Sequence, residues 1–149
     1  MSQADDCSIR AAGGCLCGAV RFEVRGQLLD VINCHCSKCR RFNGNVGAYT
    51  ATLRENVVVV KDEALKWYRS TQDETPNVYR GFCKECGSSL FWDPRNQWNI
   101  CIAAGAIDPP TELKTGGHVW ISQKGDYYEI ADDLPQHGEG IGRPKLQND

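Results

Sequence analysis

Nowhere in this sequence does an apolar run approach the roughly 18 residues that a membrane-spanning helix needs. There is no large excess of charge of either sign: 17 Lys and Arg against 19 Asp and Glu give a formal net charge of −2. Without a basic patch or a Lys/Arg-rich tail, nothing draws the chain toward nucleic acid or an anionic membrane surface. Residues Met1 to Arg10 carry Asp5 and Asp6 and no apolar stretch, which excludes a signal peptide and leads us to expect a cytoplasmic protein. No long amphipathic helical pattern is present, and no internal repeat of fixed period.

What the chain has instead is cysteine. Nine fall within 149 residues, an odd number that fits no complete disulfide framework. In a reducing compartment, clustered cysteines bind metal or act catalytically more often than they cross-link. Cys34, Cys36 and Cys39 lie within six consecutive residues, in Cys34-His35-Cys36-Ser37-Lys38-Cys39-Arg40, so three soft ligands can reach one ion with little chain to order. Cys15 and Cys17 early in the chain pair naturally with Cys83 and Cys86 late in it. Four thiols close a tetrahedral zinc site, whereas three leave a position for water or substrate, as in catalytic zinc centres. We therefore expect two zinc ions per chain, a structural one on Cys15, Cys17, Cys83 and Cys86 and a catalytic one on Cys34, Cys36 and Cys39. The charge count treats every thiol as neutral, and metal-bound thiolates would change it. Cys7 falls in a polar N-terminal tail, and Cys101 in the apolar run Ile100 to Ala104 reads as a small buried hydrophobe.

The rest reads as short strands separated by turns. Gly13 to Gly18 forms a turn whose glycines let backbone amides face the sulfurs. Val20, Phe22 and Val24 then alternate with Arg21, Glu23 and Arg25, the period of a half-buried strand. Further strands are expected over 46–53, 57–60 (a β-branched run read as buried), 65–69, 78–82, 89–92, 99–104 and 118–122. Strand 78–82 delivers Cys83 to the tip of a hairpin. A turn or two of helix fits after Cys39 or around Asp62 to Leu65. This spacing indicates a single all-β domain over 13–134, with a flexible tail over 1–12 and an irregular one over 135–149.

Each candidate has a plainer reading. A thioredoxin-type redox pair at Cys83/Cys86 would need a βαβ setting that this chain lacks. The second cluster could be closed by His35, His118 or Cys101, although in an extended segment the His35 side chain points away from its neighbours' thiols. Lys38 and Arg40 add positive charge near the thiols, yet Arg40 and Arg41 also fit a solvated surface pair. Most of the aromatics, Phe91-Trp92 among them, are expected in the core rather than in a pocket. His118 suits a structural role and Asp108, before Pro109, a turn.

Taken in order, Gly14-Cys15-Leu16-Cys17-Gly18-Ala19-Val20-Arg21-Phe22, the segment Cys34 to Arg41, Phe82-Cys83-Lys84-Glu85-Cys86-Gly87-Ser88, Ala104 to Asp108 and His118 to Ile121 resemble the glutathione-dependent formaldehyde-activating enzyme family, whose domain is shared with centromere protein V. The resemblance runs from about Gly13 to Leu134. It implies an all-β fold with minor helix, in Mss4-like twisted β-sheets built around a structural zinc, with the two zinc sites assigned as above. It further implies a carbon–sulfur lyase of the S-hydroxymethylglutathione synthase type, with glutathione and formaldehyde, or a related thiol and aldehyde, as its small-molecule partners and no nucleic acid or membrane. A non-catalytic, zinc-stabilised protein-binding module is the alternative. The chain departs from the family pattern at Phe42 to Val46 and at Tyr127-Tyr128, both of which are expected to border the pocket.

Overall fold

The computed structural model describes residues 8–142 and 145–146; Cys7 and residues 1–7 of the expected N-terminal tail lie outside them. The strands in chain order are β1 (Ala11–Gly14), β2 (Arg21–Val24), β3 (Val31–Cys34), β4 (Gly47–Leu53), β5 (Val57–Lys61), β6 (Leu65–Arg69), β7 (Val78–Cys83), β8 (Ser89–Pro94), β9 (Asn99–Ala103) and β10 (Thr115–Val119). One α-helix, α1 (Ser37–Asn43), interrupts them, so the protein is mostly β as its strand-and-turn spacing predicts. No helix among the described residues is long and apolar enough to cross a membrane.

The strands form a three-stranded sheet in the order β1-β2-β5 and a seven-stranded sheet in the order β10-β3-β4-β9-β8-β7-β6. All pairings are antiparallel except that of β10 with β3. The core lies between the sheets. Val20 and the inward face of β2, Phe22 and Val24, are fully buried against Leu90, Phe91, Ile100 and Ile102. Phe22 meets Phe91 edge-on at 5.2 Å, a preferred aromatic geometry, and Trp67 stacks on the same ring.

Several local expectations are corrected. Val57 to Val60 is not a buried strand: β5 is an edge strand, with Val57 and Val59 packed on the core and Val58 and Val60 exposed. A run of four valines favours extended backbone whatever covers it, so composition does not reveal how many faces are buried. Gly13 and Gly14 belong to β1 rather than to the turn, and so do Ala11 and Ala12, which sequence reading left in the tail. Strand β10 ends at Val119, because Trp120 adopts a left-handed backbone (φ 57°) and Ile121–Gln123 makes a 3-10 turn. Finally, the C-terminal stretch is irregular but docked. His118 N–H donates to Pro135 O at 2.9 Å, His137 N–H to His118 O at 2.9 Å, and Trp120 N–H to Glu139 O at 3.2 Å.

Candidate metal centres

The four-thiol cluster is assembled from two knuckles. One follows β1 and carries Cys15 and Cys17; the other closes the β7–β8 hairpin and carries Cys83 and Cys86. All four sulfurs lie within 4.8 Å of one another. Gly18 (φ 82°) and Gly87 (φ 80°) turn each knuckle through backbone angles that side chains disfavour. The turned amides then point at sulfur: Val20 N–H reaches Cys15 Sγ at 3.2 Å, and Glu85 N–H reaches Cys83 Sγ at 3.3 Å. The Ser88 hydroxyl lies 3.2 Å from Cys86 Sγ and, together with the Ser88 backbone, holds that thiol down at about 5. Ser88 also accepts from Leu16 N–H at 3.0 Å, which ties the two knuckles together.

The three-thiol cluster grows from β3 and α1. Cys34 ends the strand. Cys36 caps the helix, its sulfur accepting the Cys39 N–H at 3.4 Å, and Cys39 sits inside the first turn. The helix thus starts before Cys39 rather than after it. Gly47 lets β4 press against this turn: a side chain there would begin 3.0 Å from Cys39 Cβ and 2.7 Å from the Tyr49 ring. The three sulfurs also lie within 4.8 Å of one another, and no fourth His, Cys, Asp or Glu of the described residues joins that group. Three thiols this close cannot all ionise without a cation among them. Hydrogen bonding to Cys34, then to Cys39, pulls Cys36 down to about 2, while the bond to Cys36 is the first cause pushing Cys34 up to about 12. A soft, anion-forming donor set of this kind fits a thiophilic metal, and both clusters could bind metal ions.

None of the proposed fourth ligands is in place. The His35 ring turns away from the sulfurs, its Nδ1 bonding Tyr128 Oη and its Nε2 lying 2.9 Å from His118 Nδ1. His118 Nε2 in turn lies 3.0 Å from Asp132. Parallel pairing of β10 with β3 sets His118 opposite Asn33 and so brings the two imidazoles together. The result is a chain from Tyr128 through both histidines to Asp132 that fixes the back of the cysteine loop. Burial, and then the neighbouring His118, lower the pKa of His35. Cys101 is buried beside Cys36, Cys39 and Tyr49 without joining the ligand group.

Sequence reading overlooked Arg80. Both terminal nitrogens of its guanidinium lie 4.0 Å from Cys39 Sγ, and it pairs with Asp73 through two hydrogen bonds of 3.1 and 3.0 Å. The signal was present, since Arg80 shares an alternating strand with Val78 and takes the inward position. The cations singled out in sequence behave differently: Lys38 faces Glu74 at 3.7 Å, and Arg41 is exposed. Asp108 is more than a turn residue; it pairs with Arg21 at 2.6 Å, whose guanidinium holds its carboxyl below the ordinary range.

A cleft of about 360 Å³ opens over the three thiols. Trp92, Trp98 and Trp120 line it with Tyr49, so most of the tryptophans are in the cleft rather than in the core. None of the expected pocket-bordering departures lines this cleft, but Phe42 lines a neighbouring cavity with Ser37, Lys38 and Arg80. Tyr127 Oη bonds Asn45 Oδ1 at 2.8 Å and Tyr128 backs His35, while Asn43 Nδ2 bonds Tyr49 Oη at 3.1 Å behind the cleft wall.

Comparison with known proteins agrees with this architecture. The model of the family described as "Glutathione-dependent formaldehyde-activating enzyme" matches residues 10–123. A Halomonas elongata protein, provisionally named a glutathione-dependent formaldehyde-activating enzyme, is 35% identical over 129 residues, covering 79% of this chain and 79% of its own length. An uncharacterized lyase of Schizosaccharomyces pombe is 27% identical over 121 residues, 80% of this chain and 84% of its own. The crystal structure of a Rhodobacter sphaeroides protein superposes with a TM-score of 0.56 at 28% identity, covering 72% of this chain and 99% of that one.

Proposed function

The chain belongs to the glutathione-dependent formaldehyde-activating enzyme family, and from that premise we propose that it is a zinc-dependent carbon–sulfur lyase that joins a thiol to an aldehyde. The single observation that carries this reading is the three-thiol cluster, which faces a cleft and has no fourth donor among the described residues. Cys34, Cys36 and Cys39 would hold one zinc, and Cys15, Cys17, Cys83 and Cys86 would hold the other. An ion held there would supply Lewis-acid chemistry, favouring the ionised form of a thiol or polarising a carbonyl. In the reaction the sulfur lone pair forms the C–S bond, the carbonyl π pair moves to oxygen, and the thiol proton ends on that oxygen as a hydroxyl. Glutathione with formaldehyde, giving S-hydroxymethylglutathione, is the pair that the family's name supplies; related thiols and aldehydes follow the same balance.

The chain's own residues do the positioning. The cleft tryptophans exclude water from the reacting pair and strengthen every charge interaction within it. Arg80 sets a buried positive charge against Cys39, and the Tyr128–His35–His118–Asp132 chain anchors His35 between Cys34 and Cys36. The test is NMR exchange between formaldehyde, a thiol and their adduct, run over a panel of thiols that includes glutathione. Zinc-loaded wild type is compared with Cys36→Ser, because the uncatalysed reaction proceeds anyway. Faster exchange with wild type alone is the expected result; equal rates across the panel would remove the lyase assignment.

A further inference from the structure

The two clusters differ in what donates to sulfur. At the four-thiol cluster the donors are neutral: Val20 N–H on Cys15, Glu85 N–H on Cys83 and the Ser88 hydroxyl beside Cys86. At the three-thiol cluster Cys39 meets a charge. The Arg80 side chain is 3% exposed, and its guanidinium is divided between two partners. Nε and Nη2 donate to the Asp73 carboxylate at 3.1 and 3.0 Å, while Nη1 and Nη2 both lie 4.0 Å from Cys39 Sγ. One edge of the fork holds a carboxylate, and the next edge is presented to sulfur with its two nitrogens equidistant.

The surroundings hold the guanidinium in that pose. A buried arginine needs an anion, and Asp73 is itself fixed by the Ser70 hydroxyl and by Trp92 Nε1. Strand pairing sets this frame, since Arg80 on β7 stands opposite Tyr68 on β6 and Trp92 on β8. Phe42, one turn after Cys39 in α1, packs on the guanidinium, whose carbon lies 5.2 Å from the ring centre. The helix that places the ligand therefore also places the ring that packs on its cation. Partners that hold a metal ligand from outside are worth about 10–100-fold in metal affinity or activity.

Charge says what the contact can do. Three thiolates around a doubly charged ion leave the centre with one negative charge in excess, and a further anionic ligand adds to it. In a buried site that addition is costly unless a cation stands beside it. A neutral donor such as imidazole adds no charge and needs no such help. We propose that Arg80 is a positioning residue of this centre, whose charge lets an ion on Cys34, Cys36 and Cys39 take an anionic sulfur, rather than a neutral donor, as its further ligand. The inference rests on the reading of these three thiols as a metal site and is independent of which thiol or aldehyde reacts.

The test uses the full chain loaded with cobalt(II), whose absorption bands report each change of ligand at the ion. The four-thiol site is already complete, so ligand-dependent changes report the other one. 2-Mercaptoethanol offers an anionic sulfur on an uncharged body, and imidazole offers a neutral donor. Arg80→Met combined with Asp73→Asn removes both charges of the pair and strands neither. It should weaken the thiol by about ten- to hundredfold and leave imidazole unchanged. Arg80→Lys keeps the charge and should restore most of the thiol affinity. Asp73→Asn alone keeps Arg80 and removes the charge opposing it, so the thiol should bind tighter than in wild type, a sign that lost packing does not give. Equal weakening of both probes, or a thiol affinity unmoved in every variant, would overturn the inference, as would a wild-type spectrum that neither probe alters. Formaldehyde exchange with the zinc-loaded proteins tells the two readings apart. No acceleration by wild type, with the cobalt pattern as expected, defeats the lyase and leaves the role of Arg80 standing. Acceleration that the double variant matches, with thiol binding equally unmoved, defeats the role of Arg80 and leaves the lyase.

Discussion

The two cysteine clusters use the same ligand atoms to opposite ends. The four-thiol cluster joins chain segments 66 residues apart at Cys17 and Cys83, and its sulfurs range from buried Cys83 to exposed Cys17. Its neighbours are backbone amides and Ser88, which orient the sulfurs. The three-thiol cluster spans one strand end and one helical turn, so it ties nothing distant together. Its neighbours are a buried guanidinium, a histidine chain and a cleft of indoles. Four thiols suit a closed, structural ion, and three thiols beside a shaped cavity suit one with a position open to a ligand. The metal chemistry alone does not distinguish them.

The largest effect is expected for Cys83→Ser. Zinc in a closed thiol site contributes on the order of 10 kcal/mol of apparent binding free energy that is also folding free energy. Circular dichroism should therefore show a chain that fails to fold cooperatively; a native melting transition would mean that the knuckles are held by something else. Next in size is Arg80→Met, which leaves Asp73 buried with only Ser70 and Trp92 as hydrogen-bond partners. Stranding one member of a buried pair costs about 3–5 kcal/mol, and a denaturant midpoint unchanged from wild type would refute the pairing. The smallest effect is at the exposed Arg21–Asp108 pair. Because Arg21 lowers the Asp108 pKa, the pair stabilises the fold above the ordinary carboxylate pKa of 3.8, and this is lost as pH falls through the lower folded value. Wild type should melt slightly above Asp108→Asn at neutral pH, with the gap closing on acidification. A gap that widens in acid would reverse the sign and remove the pair from the account.

How much of this was legible beforehand follows the same division. Local spacing revealed the three-thiol group, each half of the four-thiol group, the alternation of β2 and the hairpin that carries Cys83, because each depends on residues near one another in sequence; that the two distant halves meet followed from the four ligands a closed tetrahedral site needs. What spacing could not reveal depends on tertiary neighbours. Val57 to Val60 favour a strand equally at an edge or in a core. His118 meets His35 only because β10 pairs parallel to β3, and no local pattern encodes that partner. Trp120 left the expected strand for a left-handed turn because residues 135–140 dock beside it. Arg80 was the recoverable miss: an arginine at an inward strand position, two residues from an apolar one and three from a ligand, announces a buried partner.

The second site is proposed to keep a position open for a thiol while the first does not. Zinc K-edge X-ray absorption on the protein loaded with two zinc ions, before and after saturation with glutathione, distinguishes the two. An open second site gives an average sulfur count between three and four per zinc, with a lighter scatterer completing the shell, rising to four when the thiol is added. Four sulfurs per zinc before any thiol is present, or no change on adding it, would mean that the second site is closed.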